Sequence, residues 1–404
     1  MIQIIKIEKK KISGSIELPF SKSILNRWLI IHALADAKLP EIGNMQSHDV
    51  LLLAKAINQS SGTINFEDAG TPARLFLAYA AVKCQNITIS SNIQLKRRPF
   101  AHLVEALSAL GAEIIYLEKE GYLPVQILKT VNLNLENVSI NGSLSSQFIS
   151  GLLLISPYFS NGLNIQVTGA QQSEKYIDTT ISVMQQYGAV IKKNETGFYI
   201  SPKKYQIAAT PAIEADWSAA TFIYSLAAIA PFAQIFIPDL KLNSIQGDSF
   251  TASLYKQLGV QSIQKLDGVQ LIKTGKQVTE IEIDFTNIPD MFPAVVAGCA
   301  ALKIKGKFTG IKNLTLKESN RIIAMKENLW QTGALLELIT ENEAVLSYFE
   351  NEAEIYTFKS YNDHRIVMAC SIFAFYKTIT IDDETVVAKS FPNYWDFFRD
   401  LTSI

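Results

Sequence analysis

Hydrophobic and polar positions along the chain define two kinds of helical segment. The first opens on polar or charged residues and then runs apolar and small. Six segments fit: SKSILNRWLIIHALA from Ser21, GTPARLFLAYAAV from Gly70, SSQFISGLLLIS from Ser145, SAATFIYSLAAIA from Ser218, DMFPAVVAGCAAL from Asp290 and DHRIVMACSIFAF from Asp363. From Gly70 onward their starts are 75, 73, 72 and 73 residues apart, and the first interval is 49. A helix that is apolar on all sides belongs inside a protein. The second kind is amphipathic, ends at a glycine and runs into a β-rich stretch: HLVEALSALGAEIIYL (Gly111), ISVMQQYGAVI (Gly188), ASLYKQLGVQSI (Gly259) and ENLWQTGALLEL (Gly333). Phe100, Leu103, Leu107 and Leu110 share one stripe of the first of these. Glycine past the last turn accepts the left-handed conformation that stops a helix.

Two markers in step predict six repeated units, each with one buried helix, one outer helix and several strands. The start, MIQIIKIEKKKISG, alternates loosely and predicts a strand rather than a signal peptide. The longest apolar run, Phe222 to Pro238, is interrupted by Pro231 and Gln234. It predicts a buried helix followed by a strand, not a membrane span.

Buried helices in equivalent units point the same way, so their N-termini converge on one face. Free N–H groups and a partial positive charge at each start make such a face an anion site. The residues at these starts suit that use: Ser21, Lys22 and Ser23; Gly70 and Thr71; Ser145, Ser146 and Gln147; Asp290; Asp363, His364 and Arg365. Eight cations gather at the same junctions: Lys22, Arg27, Arg74, Arg98, Lys317, Arg321, Arg365 and Lys389. A cation at a helix start is unfavourable unless a ligand offsets it, and Arg suits bidentate phosphate or carboxylate binding. Asp290, Glu318 and Asp49 are the carboxylates available for proton transfer there.

Composition narrows the field. The 404 residues carry 37 Lys and Arg against 38 Asp and Glu, a net charge of -1. That balance gives no general attraction to nucleic acid or anionic membrane. Cys84, Cys299 and Cys370 are widely spaced, which argues against a disulfide framework or a zinc ribbon and for a reducing, cytoplasmic setting. His32, His48, His102 and His364 lack metalloprotease spacing. No P-loop, dinucleotide fingerprint or Gly-x-Ser-x-Gly elbow is present.

LPFSKSILNR, DAGTPAR, KRRPF, GSLSSQF, SEKYID, NIPD, NLTLKESNR, YNDHR and AKSFP occur in this order between about Leu18 and Tyr394. In these motifs the chain resembles the 5-enolpyruvylshikimate-3-phosphate synthase family. The resemblance implies an α/β (α+β) fold: a two-domain inside-out α/β barrel of six βαβαββ units with buried parallel helices. The crossings are expected near Pro19–Phe20 and Glu214–Asp216. They give an N-terminal lobe, 20–215, and a C-terminal lobe, 1–19 with 216–404.

The resemblance also implies the chemistry. Phosphoenolpyruvate gives its enolpyruvyl group to the 5-hydroxyl of shikimate 3-phosphate through a tetrahedral ketal, with release of phosphate. Matched by motif, Lys22, Ser23, Arg27, Ser145, Ser146, Gln147, Ser173, Tyr176, Asp290, Asn313 and Lys317 resemble the shikimate 3-phosphate contacts. Lys22, Gly70, Arg98, Gln147, Arg321, Arg365 and Lys389 resemble the phosphoenolpyruvate contacts. Lys22, Asp290 and Glu318 resemble the proton-transfer groups, with Asp290 preferred as base at the hydroxyl and Glu318 with Lys22 near the methylene. No metal or organic cofactor is implied, nor a nucleic-acid or membrane partner, and the expected state is a cytoplasmic monomer.

Four positions depart from the family pattern: Phe20 for Gly, Asp68 for Asn, Leu75 for Pro and Thr315 for a cation. They bear on affinity and on response to the inhibitor glyphosate. The sister transferase acting on UDP-N-acetylglucosamine carries a reactive cysteine before its Arg-Pro, whereas SSNIQLKRRP has none. A non-catalytic phosphometabolite binder is expected to lack Lys22, Asp290 or Glu318, and all three are present.

Overall fold

The computed structural model describes residues 3–7, 11–39, 46–171, 173–208 and 212–402. The chain divides into two compact units. One comprises Met1–Ser21, Met45–His48 and Glu214–Ile404; the other comprises Lys22–Asn44 and Asp49–Ile213.

Two strands come first, β1 (Gln3–Ile5) and β2 (Lys11–Ser15), followed by helices α1 (Lys22–Leu34) and α2 (His48–Ile57). The repeat then appears in full: β3 (Gly62–Asn65), α3 (Gly70–Lys83), β4 (Ile87–Ser90), α4 (Ala101–Ala109), β5 (Glu113–Tyr116) and β6 (Val125–Lys129). Its sheet order is β3-β4-β6-β5, with the first pair parallel and the others antiparallel. A parallel pair needs a crossover, which α3 supplies. The next segment repeats this order as β7-β8-β10-β9, from β7 (Asn137–Asn141), α5 (Ser146–Ile155), β8 (Leu163–Thr168), α6 (Glu174–Gln186), β9 (Ile191–Asn194) and β10 (Gly197–Ile200).

The larger unit resumes with α7 (Trp217–Ile229), β11 (Phe232–Pro238), α8 (Thr251–Gln257), β12 (Val260–Lys265) and β13 (Gly268–Lys273). Its first strand is β2, which lies parallel to β11 with Lys11 opposite Phe232. A complete repeat follows in β14 (Glu280–Asp284), α9 (Phe292–Leu302), β15 (Lys305–Thr309), α10 (Arg321–Trp330), β16 (Ala334–Thr340) and β17 (Glu343–Tyr348), again ordered β14-β15-β17-β16. The last segment holds β18 (Ile355–Phe358), α11 (His364–Ser371), β19 (Thr378–Ile381) and α12 (Tyr394–Thr402). Its third strand is β1, antiparallel to β19.

The expected six equal units are therefore four complete ones, one of three strands, and one that contributes α1 and α2 without a strand among the described residues. The single strand expected at the start is two strands, each serving a different sheet. Local alternation marks a strand but carries no record of its partner.

In the smaller unit α1, α3 and α5 pack on one another, and in the larger unit α7, α9 and α11 do the same. Their apolar residues are buried on every side, as in Leu75 to Ala81 and Phe292 to Ala300. The outer helices are two-faced: α10 buries Ile322, Met325 and Leu329 and exposes Ile323 and Trp330. Phe100, Leu103, Leu107 and Leu110 are all buried. Gly111, Gly188, Gly259 and Gly333 close α4, α6, α8 and α10 at φ of 92°, 86°, 84° and 77°.

Where the larger unit's first segment ends and its last begins, Phe20 and Ala215 form an antiparallel bridge. Ser21 N donates to Glu214 O, and Asp216 N donates to Pro19 O, each at 2.9 Å. Phe20, one of the four departures, thus sits in paired backbone. Leu75, another, is buried in α3.

Candidate active site

In the smaller unit the starts of α3 and α5 are tied together by polar side chains. Thr71 and Arg74 lie in the first turns of α3, and Gln147 lies in the first turn of α5. Arg74 Nη1 donates to Gln147 Oε1 at 2.6 Å, and Gln147 Nε2 donates to Thr71 Oγ1 at 2.6 Å. The Gln147 amide therefore has a fixed orientation. Arg74 itself lies over the Phe100 and Phe148 rings and donates to Pro99 O. Gly70 heads α3 against two guanidinium groups: a Cβ there would lie 2.7 Å from Arg98 Nη1 and 3.3 Å from Arg74 Nη1. Arg98 follows a short 3-10 helix (Leu95–Arg97) and is 9% exposed.

Ser145 is the N-cap of α5, where its hydroxyl accepts from Gln147 N at 3.3 Å, and Ser146 beside it is buried. Ser145 thus has the capping role that serines favour. Ser173 precedes α6 at φ 56° without a side-chain cap, and its carbonyl accepts from Tyr176 N. Tyr176 is half-buried.

Arg27, on α1, is buried among neutral oxygens. It donates to Thr180 Oγ1 at 2.7 Å, Ser23 O at 2.7 Å, Tyr176 O at 3.0 Å and Ser150 Oγ at 3.4 Å. Burial lowers its pKa to about 10, with the nearby Tyr176 acting against that shift. Lys22 heads α1, with Nζ 3.0 Å from Asp49 Oδ2.

In the larger unit the starts of α9, α10 and α11 meet in one ionic cluster. Asp290 lies in a 3-10 turn (Pro289–Met291) just before α9. Its Oδ1 is 2.9 Å from Arg321 Nη1 and 3.2 Å from Lys317 Nζ, and its Oδ2 is 3.1 Å from Arg365 Nη2. Arg321 also reaches Glu318 Oε2 at 2.8 Å and Asp363 Oδ2 at 2.9 Å. Asp363 is fully buried; it caps α11 by accepting from Arg365 N and also accepts from Ser319 Oγ.

Burial disfavours the Asp290 charge. The fields of Arg365, Lys317 and Arg321 prevail over it and over the repulsion of Glu318, and they hold the carboxyl well below the usual carboxylate range. Burial likewise opposes the Arg321 charge, but Asp363, Glu318 and Asp290 raise its pKa. Asn313 is half-buried in the 3-10 helix Lys312–Leu316, and Lys389 is buried at the end of the 3-10 helix Thr385–Lys389.

The structure thus gathers Gly70, Arg98 and Gln147 around Arg74; Ser23 and Tyr176 around Arg27; and Lys317, Glu318, Arg321 and Arg365 around Asp290. Sequence reasoning named Asp363 only as a polar helix start and missed Ser150 and Thr180. Their signal was a hydroxyl four residues after another site residue (Ser146 and Ser150, Tyr176 and Thr180), which places both on one helix face.

A repeated α/β architecture with cations at gathered helix starts defines a class, proteins that hold small multiply charged anions. Comparison with known proteins narrows it. Residues 54–398 match the family EPSP synthase (3-phosphoshikimate 1-carboxyvinyltransferase). A 3-phosphoshikimate 1-carboxyvinyltransferase of Bacteroides fragilis is 36% identical over 96% of this chain and 95% of its own length. One from Shewanella pealeana is 30% identical over 97% of each chain. An EPSP synthase structure from Acinetobacter baumannii superposes with a TM-score of 0.75 at 18% identity, covering 100% of this chain and 98% of its own. The chain belongs to the EPSP synthase family.

Proposed function

We propose that the chain is a 3-phosphoshikimate 1-carboxyvinyltransferase. Its substrates are shikimate 3-phosphate and phosphoenolpyruvate, and its product feeds aromatic amino acid biosynthesis. The observation that carries the reading at the level of residues is the buried Arg321, which grips Asp290, Glu318 and Asp363 at the start of α10. Lys317 and Arg365, both on Asp290, bring the cluster to three cations against three carboxylates, and an anionic ligand competes with those carboxylates for the same cations.

In the first step the 5-hydroxyl oxygen of shikimate 3-phosphate bonds to C2 of phosphoenolpyruvate. The hydroxyl loses its proton and C3 gains one. In the second, the C2–O bond to phosphate breaks, C3 gives up a proton and the enol ether forms. Asp290 takes the hydroxyl proton in this reading, while Glu318 and Lys22 serve the methylene carbon. Free Asp290 is a weak base because three cations surround it. Incoming phosphate and carboxylate oxygens compete for those cations, so ligand binding itself makes the carboxylate more basic.

Arg98, Arg321, Arg365 and Lys389, with Gly70 and Gln147, take the phosphoenolpyruvate side. Ser23, Arg27, Ser145, Ser146, Ser173, Tyr176, Asn313 and Lys317 take the shikimate 3-phosphate side. The lobes in this reading are 20–215 and 1–19 with 216–404, and a single chain, acting as a cytoplasmic monomer, is sufficient. Among the described residues no helix is long and apolar enough to cross a membrane. The family match leaves transfer to UDP-N-acetylglucosamine without support.

The test is phosphate release from phosphoenolpyruvate by the purified protein. Release that depends on shikimate 3-phosphate is expected. Release driven by UDP-N-acetylglucosamine instead, or none with either acceptor, would refute the assignment.

A further inference from the structure

Asp49 stands on the first turn of α2 with its side chain 4% exposed. Its Oδ2 accepts from Lys22 Nζ at 3.0 Å. Its Oδ1 is buried and has no hydrogen-bond partner among the described residues. Among the described residues the carboxylate therefore neither caps α2 nor bonds to a second side chain. A buried carboxylate oxygen left unbonded is unfavourable. The N-terminal end of α2 tolerates the negative charge, but that tolerance does not explain why the other oxygen points at the head of α1.

We propose that Asp49 is a positioning residue for Lys22. It holds the ammonium group at the head of α1 while no ligand is bound and yields it to the ligand's anionic oxygens when they arrive. Lysine is a point charge on a four-carbon stem with many rotamers. Without an anchor, its amine spends most of its time away from the place where a proton must be passed. The pair is neutral as it stands, so Lys22 adds no unbalanced charge at the head of α1. The inference rests on the reading of Lys22 as a member of the active site.

Asp49→Asn keeps the shape of the side chain and removes its charge, whereas Asp49→Glu keeps the charge. In ligand-free protein, acetylation of Lys22 by an amine-reactive ester, followed by peptide mass spectrometry, reports whether the amine is held. Labelling about threefold faster in Asp49→Asn than in the wild type is expected. In steady state the same variant should lose kcat by about tenfold, with KM for phosphoenolpyruvate changed by less than about threefold. Asp49→Glu should recover most of that kcat.

Unchanged labelling and kcat in a folded Asp49→Asn variant would overturn the proposal. So would an Asp49→Glu variant as slow as the Asn one, or an Asn variant that fails to fold, which would assign Asp49 to the scaffold. Wild-type phosphate release is measured first and tests the reaction itself. The labelling rates need no turnover and judge the ion pair whichever way that assay falls.

Discussion

Gly70 is required by a neighbour and not by its backbone angle. Arg98 rests its guanidinium where a methyl group would lie, with Nη1 at 2.7 Å and Cζ at 3.0 Å. The obstructed atoms are the far end of a flexible side chain, so Gly70→Ala should fold and displace Arg98. The expected result is a KM for phosphoenolpyruvate raised about tenfold, with Tm within about 2 °C of wild type. An unchanged KM would remove Arg98 from that substrate's contacts. The motifs around Gly70 and Arg98 were legible in the sequence; the contact between them was not, because spacing says nothing of which side chain leans on which backbone. The same holds for Asp363. Its place at a helix start was readable, while its grip on Arg321 arises from tertiary packing.

The element scale was the most legible, since burial follows period and period is written in the chain. The glycine stops allow a quantitative check. At Gly188 an added Cβ would meet nothing closer than 3.8 Å, so Gly188→Ala isolates the left-handed backbone cost, about 1 kcal/mol. At Gly333 the carbonyl of Phe349 lies 2.8 Å from the added carbon, and backbone cannot swing aside. Urea unfolding should rank Gly333→Ala as the less stable of the two. Equal midpoints would mean that the Gly333 turn yields. Strand pairing was less readable than helix burial. That β2 joins β11 is decided across more than half the chain, and that β1 joins β19 across nearly all of it, beyond the reach of any local pattern.

For the molecule as a whole, a net charge of -1 hides a strongly uneven distribution. The cations that count are sequestered at helix starts, where salt screens them less than it does exposed charges. Keeping water from the reacting groups asks the chain to tighten around its ligand. Small-angle scattering with shikimate 3-phosphate is expected to show a smaller radius of gyration than without it. An unchanged profile would count against that tightening.

The strand exchange that completes two sheets also bears on synthesis. The smaller unit takes its strands from one continuous run, β3 to β10, and can close while the rest is still being translated. β1 precedes its partner β19, which begins at Thr378, by most of the chain. At typical elongation rates that is a wait of roughly 20–75 s for the nascent chain. During that interval a β-forming segment has no mate, which is the circumstance in which chaperones are recruited.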